Sequence, residues 1–179
     1  MLKRYRSRGL SMVEIMVALA LLVALLLAGL PTFTTMIAGA RVRSVAEDLL
    51  AGVQLARVEA LKRGEPVRFN LDAEVGGGWS AVLVSSDEVL SSRNAVEGAT
   101  VNVVGDLDNF AVFNSFGLRV QPVGGDLTFS ITKPDSGDCQ PAGTIRCMAV
   151  VVRSGGQVRM CDPLRPAGDP QSCIMEATP

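Results

Sequence analysis

The sequence predicts an α+β fold, in which one long N-terminal helix packs on a small, mainly antiparallel β domain. Three observations predict it. An apolar run from Ile15 to Leu30 passes into amphipathic helix spacing that lasts to residue 63. After Gly64 the apolar period falls to two, and glycine clusters separate short alternating runs. All four cysteines, Cys139, Cys147, Cys161 and Cys173, lie in that second half.

The helix is expected over 10–63, roughly 80 Å at 1.5 Å per residue. Its first part, 10–30, carries Glu14 as its only charge and matches the roughly 20 residues that a bilayer requires. Lys3, Arg4, Arg6 and Arg8 precede it, and no charge follows Glu14 until Arg41. The positive-inside rule then leaves the N-terminus cytoplasmic and the rest outside. A carboxylate at bilayer depth costs on the order of 3 kcal/mol, so Glu14 calls for a partner. A cleaved secretory signal is the rival, with Ala38-Gly39-Ala40 imitating a cut site. That apolar run is long for such a signal, and Glu14 would have no purpose in it.

Pro31 predicts a bend or break. Beyond it Val42, Val45, Leu49, Val53, Ala56 and Ala60 recur at three- and four-residue intervals, with Arg41, Arg43, Glu47, Asp48, Arg57 and Lys62 on the other face. Lys62-Arg63-Gly64 and then Pro66 supply the stop.

Residues 64–179 are expected to form one globular β domain. Strands are expected at Val67–Leu71, Trp79–Val84, Thr100–Val103, Phe110–Asn114, Leu127–Thr132, Arg146–Arg153 and Gln157–Met160, in two small sheets on the outer half of the helix. The tail from Pro163 to Pro179 reads as irregular. An even number of cysteines in an exported domain points to disulfides. Three connectivities are open; Cys139–Cys147 with Cys161–Cys173 closes two short loops and is preferred. Metal binding is disfavoured, because the spacings lack a Cys-x-x-Cys pair and there is no histidine.

The missing histidine also removes Ser-His-Asp and Cys-His chemistry. Asp135, Asp138 and Asp162 sit beside Gly, Pro or Cys and read as turn formers. Gly76-Gly77-Gly78 lacks the lysine of a phosphate loop. No enzyme activity, cofactor or metal is expected.

Gly9-Leu10-Ser11-Met12-Val13-Glu14, behind its basic leader, resembles the class III leader site of type IV pilins and type II secretion pseudopilins. The resemblance implies a pilin-like fold and a leader peptide over 1–9, cut after Gly9 by prepilin peptidase. Leu10, in place of the usual Phe, would become the N-methylated mature N-terminus. Glu14 would be the family's acidic assembly residue, pairing with a neighbouring subunit's terminal amine, and Pro31 its helix kink. The stretches Leu55–Gly64, Phe113-Asn114-Ser115-Phe116-Gly117 and Ser154–Pro163 resemble the GspH/FimT branch, with its Phe-x-x-x-Gly and Gly-x-x-Arg-x-Cys segments.

What this resemblance implies is a minor pilin of the FimT/FimU type that helps initiate or cap a type IV pilus. Its partners would be other minor pilins and the major pilin, first in the bacterial inner membrane with the C-terminal domain periplasmic, then in the filament. A GspH-like minor pseudopilin of a type II secretion system is the alternative; the cysteine-rich end resembles the pilus version more. A third reading is a DNA-binding minor pilin for natural transformation. The Gly-Arg-x-Arg segment of such proteins is matched by Gly156-Gln157-Val158-Arg159, which keeps one of the two arginines. Arg159 and Arg153 are the candidate contacts, with Arg146 and Arg165 beside them. Without the leader, 13 Lys/Arg face 18 Asp/Glu, and a formal charge of −5 opposes a polyanion.

Overall fold

The computed structural model describes residues 11–72, 77–95, 102–105, 108–132 and 139–174, with backbone alone for 28–32 and 102–105. Helix α1 covers Met12–Arg63 and continues through Pro31 without interruption. The chain divides into two compact units, Met1–Ile37 and Ala38–Pro179. In the first, every large apolar side chain from Met12 to Leu27 is exposed. Among the described residues no helix is long and apolar enough to cross a membrane. The expected span over 10–30 runs at both ends onto positions outside the described side chains.

In the second unit α1 turns one stripe inward. Ala38, Val42, Ala46, Leu49, Val53, Ala56 and Ala60 are buried. Their spacing of three and four is that of one helix face. The helix ends where Gly64, at φ 70°, donates its N–H to the Ala60 carbonyl at 3.0 Å. That is the left-handed cap glycine provides without a Cβ penalty.

The strands are β1 (Val67–Leu71), β2 (Trp79–Leu83), β3 (Val89–Arg93), β4 (Asn102–Gly105), β5 (Phe110–Phe113), β6 (Arg119–Gln121), β7 (Leu127–Thr132), β8 (Met148–Val152) and β9 (Val158–Cys161). They form two antiparallel sheets, a five-stranded one in the order β3-β2-β1-β5-β6 and a four-stranded one in the order β4-β7-β8-β9. Phe69 of β1 meets Phe129 of β7 edge-on at 5.8 Å, so one aromatic contact joins the two sheets. Phe69 also lies 5.9 Å from Trp79, and the helix makes room there: a Cβ on Gly52 would lie 2.6 Å from the indole ring.

Three strands depart from the expectation. β3 and β6 carry no alternating apolar signal, because both are edges of the five-stranded sheet and their side chains are mostly exposed. β4 lies two residues later than Thr100–Val103, at the edge of the other sheet.

The second sheet's outer face has its own small apolar cluster of Ala149, Val151 and Cys161, covered by Cys173. The segment after β9 has no helix or strand among the described residues. It is nevertheless tied down: Asp162 N–H donates to the Gln171 carbonyl at 2.7 Å, and the Cys161–Cys173 disulfide closes the loop. Cys139–Cys147 closes the other.

Candidate functional site

Two regions bring the singled-out residues together. The first is the start of α1. Gly9 and Leu10 lie outside the described residues. Glu14 stands exposed in the first helical turn, in a shallow apolar groove with Ile15, Ala18, Leu19 and Leu22. A lone carboxylate on an otherwise apolar helix surface can receive one cation, and little else there offers a polar contact. Pro31 lies within the helix, its side chain outside the described ones.

The second region is a junction of loops on α1. Asn114 Oδ1 accepts the N–H groups of Phe116 and Leu118, both at 3.0 Å, which closes the turn after β5. Arg57 Nε donates to the Gly117 carbonyl at 3.0 Å. Arg57, expected on the helix's solvated face, is therefore a half-buried clamp. Gly156 abuts the same carbonyl so closely that a Cβ there would lie 1.8 Å from Gly117 O. Arg119 N–H donates to the Ser154 carbonyl at 3.1 Å, linking the same two loops. The buried Arg119 guanidinium donates to the carbonyls of Pro122 and Gly125 and, at 3.4 Å, of Gly124.

The sequence segments Phe113–Gly117 and Ser154–Pro163 thus meet in space on one helix. A match to the family described as type II transport protein GspH covers residues 45–162, from the helix through both segments. The chain belongs to the GspH family.

The fold agrees with this GspH-family membership. The type IV minor pilin FimU of Pseudomonas aeruginosa (strain PAO1) has been crystallised in two forms, and both are similar to this chain at 22% identity. One covers 74% of this chain and 95% of FimU with a TM-score of 0.57. The other covers 74% and 99% with a TM-score of 0.53. The minor pseudopilin EpsH from the type 2 secretion system of Vibrio cholerae is 14% identical, over 70% of this chain and 99% of EpsH, with a TM-score of 0.47. No curated protein matches by sequence. The FimU likeness establishes the pilin-like α+β fold.

Within this GspH-family chain the candidate DNA-contacting arginines are all engaged. Arg159, on β9, donates to the Ser172 carbonyl. Arg153 Nε lies 3.6 Å from the Asp126 carboxylate. Arg146 and Arg165 flank the buried Asp162 at 3.4 and 3.6 Å, and Arg165 also pairs with Asp169 at 2.9 Å. Asp162 Oδ1 accepts the Leu164 N–H at 3.1 Å, a turn-forming bond. Asp135 and Asp138 lie outside the described residues. A Gln171 N–H bond, followed by the Arg165 charge, holds the Asp169 carboxyl below its ordinary value. At the helix end, the Arg63 hydrogen bond holds Glu59 below its own.

Sequence reasoning missed Asn114 and Arg119. Asn three residues before a glycine is a turn signal that was open to reading. An arginine buried on carbonyls leaves no pattern in the chain.

Proposed function

We propose that this chain is a minor pilin that helps initiate or cap a type IV pilus. Prepilin peptidase would cut after Gly9, and the mature N-terminus at Leu10 would be N-methylated. The helix over 10–30 would hold the chain in the inner membrane and then enter the filament core beside other minor pilins and the major pilin. One observation carries the reading: an apolar helix surface from Met12 to Leu27 on which every large side chain is exposed and which bears a single carboxylate, Glu14. That surface asks for apolar neighbours, and the carboxylate asks for one cation among them. The terminal amine of an adjacent subunit meets both needs. Two opposite charges attract strongly in a low-dielectric bundle, while desolvation offsets much of the gain. The pair therefore sets register and recruitment more than stability.

The test is Glu14→Ala, read in membrane fractions and in sheared filaments. Membrane insertion is expected to persist while incorporation into filaments is lost. Normal incorporation of the variant would refute the role of Glu14. The family's description favours a second reading, a minor pseudopilin of a type II secretion system. Deleting the gene separates the two: the first reading expects loss of surface pili with secretion intact, the second the reverse.

A further inference from the structure

We infer that the end of α1 where Arg57 and Leu61 meet the 114–118 loop is a docking surface for a different chain, and that the segment it takes carries a carboxylate among apolar side chains. Phe116, 78% exposed, stands on that loop. Val58 and Leu61 are both exposed on α1, three positions apart and so on one side of the helix. Leu61 lies against the loop, since a Cβ on Gly117 would sit 3.2 Å from its side chain. The loop has little freedom. Asn114 takes two of its backbone N–H groups, Arg57 holds its Gly117 carbonyl, and Gly156 presses on the same carbonyl. An aromatic ring held out by such a loop loses little entropy on docking.

The charge on that surface sets the partner's chemistry. Arg57 gives its Nε to the Gly117 carbonyl, and among the described residues no carboxylate pairs with its guanidinium. Its terminal nitrogens are neither bonded there nor sealed from water. Glu59, two positions on, is taken by Lys62 at 3.5 Å and Arg63 at 2.8 Å, and Asp126 lies 3.6 Å from Arg153. Arg119, whose backbone N–H ties the same two loops, is held among the described residues by carbonyls alone. The junction thus carries positive charge that these carboxylates leave unmatched. A guanidinium presents paired N–H donors that fit the two oxygens of a carboxylate. Bordered by Leu61, with Phe116 on the loop that it clamps, such a pair is partly shielded from water, and arginine with aromatic residues is the composition of interface anchors. Nucleic acid fits less well. Successive phosphates need clustered cations, whereas apolar side chains border Arg57, and the formal charge of −5 without the leader opposes a polyanion. The different chain comes from the subunit reading above, in which an initiating or capping subunit meets unlike neighbours, and the inference rests on that reading.

The experiment uses the full chain in the cells that make it, with Phe116→p-benzoylphenylalanine, which keeps a ring on the loop and adds a photo-reactive group. Irradiation is expected to join it to a different chain, at a peptide that holds an Asp or Glu beside apolar residues. The same photo-reactive residue at Ser92, on β3 at the opposite edge of the five-stranded sheet, is expected not to give this adduct. Converting the partner's carboxylate to its amide leaves this chain untouched and is expected to lower the yield about thirtyfold. Arg57→Glu is expected to abolish the adduct, and a lysine in place of the partner's carboxylate to restore it, which a purely structural role of Arg57 would not produce. No adduct, an adduct with a second copy, with lipid or with nucleic acid, an equal yield from Ser92, no response to the amide, or a failed charge swap would each overturn the assignment. Glu14→Ala separates this from the proposed function. A missing adduct in a chain that still needs Glu14 for incorporation refutes only the docking surface; an adduct in a chain that incorporates without Glu14 refutes only the role of Glu14.

Discussion

Gly155 and Gly156 are adjacent in sequence, yet their replacement by alanine should have opposite consequences. Gly156 has φ 76°, where an L side chain costs about 1–2 kcal/mol. Its new Cβ would also meet Gly117 O at 1.8 Å, a backbone atom that cannot rotate away. The loops must separate, and the half-buried bond from Arg57 to that carbonyl is lost with them, worth about 1.5–3 kcal/mol for a charged donor. Together these give a loss of about 3–4 kcal/mol for Gly156→Ala. At Gly155 a Cβ meets nothing within 4 Å and φ is ordinary, so Gly155→Ala stays within about 0.5 kcal/mol of the parent. The assay is urea unfolding followed by the emission of Trp79, the chain's single tryptophan, which is buried beside Phe69. With a slope of about 2 kcal/mol per molar urea, the Gly156 variant's midpoint falls by roughly 1.5–2 M. Equal midpoints for the two variants would refute the loop-contact argument.

Gly52→Ala drives a methyl to 2.6 Å from the Trp79 ring; overpacking of about 1–3 kcal/mol outweighs a helix-propensity gain of about 1 kcal/mol. A net loss with shifted tryptophan emission is expected, and a stabilised protein would contradict it. Replacing Cys161 and Cys173 together by serine removes a twelve-residue closure worth about 3 kcal/mol. Limited proteolysis should then cut within 162–174 while the sheets remain protected. Asp169 is held below its ordinary value by the Gln171 N–H and then by Arg165, so its contribution is present above the unfolded value and lost as pH falls through the lower folded one. The protection of the Gln171 amide, its exchange rate divided into the intrinsic rate at each pH, should therefore fall below about pH 4 and hold steady between pH 5 and 8.

The packed helix was legible because burying one face of a helix imposes a period that survives in the residue types. Val42, Leu49, Val53, Ala56 and Ala60 are all buried. The detail failed where the signal is weak: Ala46 is fully buried while Val45 is only half so, although valine is the more apolar. Inner strands such as Val67–Leu71 and Leu127–Thr132 were legible for the same reason, since one side of each faces the core and alternates. β3 and β6 were not. Both are edge strands with mostly exposed side chains, held by backbone pairing that does not select residue types, whereas the edge strand β9 packs Val158 and Met160 against the core and kept a readable pattern. At the loop junction the turns could be read from glycine, but not the Arg57 clamp. Arg57 is separated from Gly117 by 60 positions, and nothing local distinguishes it from Arg43.

The two loop segments that mark the branch owe their residues to architecture. Gly117 and Gly156 permit an approach that any Cβ would block, and Arg159 holds the carbonyl of Ser172 in the segment over the outer sheet face. An arginine engaged in this way has to give up its partner before it can reach a phosphate. Arg153, with Asp126 at 3.6 Å, is in a similar position. Likeness in these segments therefore argues for a shared way of fastening the C-terminal loops to the sheet and helix, and argues much less for a shared ligand. Glu14 differs in kind. Among the described residues no side-chain hydrogen bond or ion pair ties it to the rest of this chain, and its place on an exposed apolar surface is what the proposed subunit contact would use.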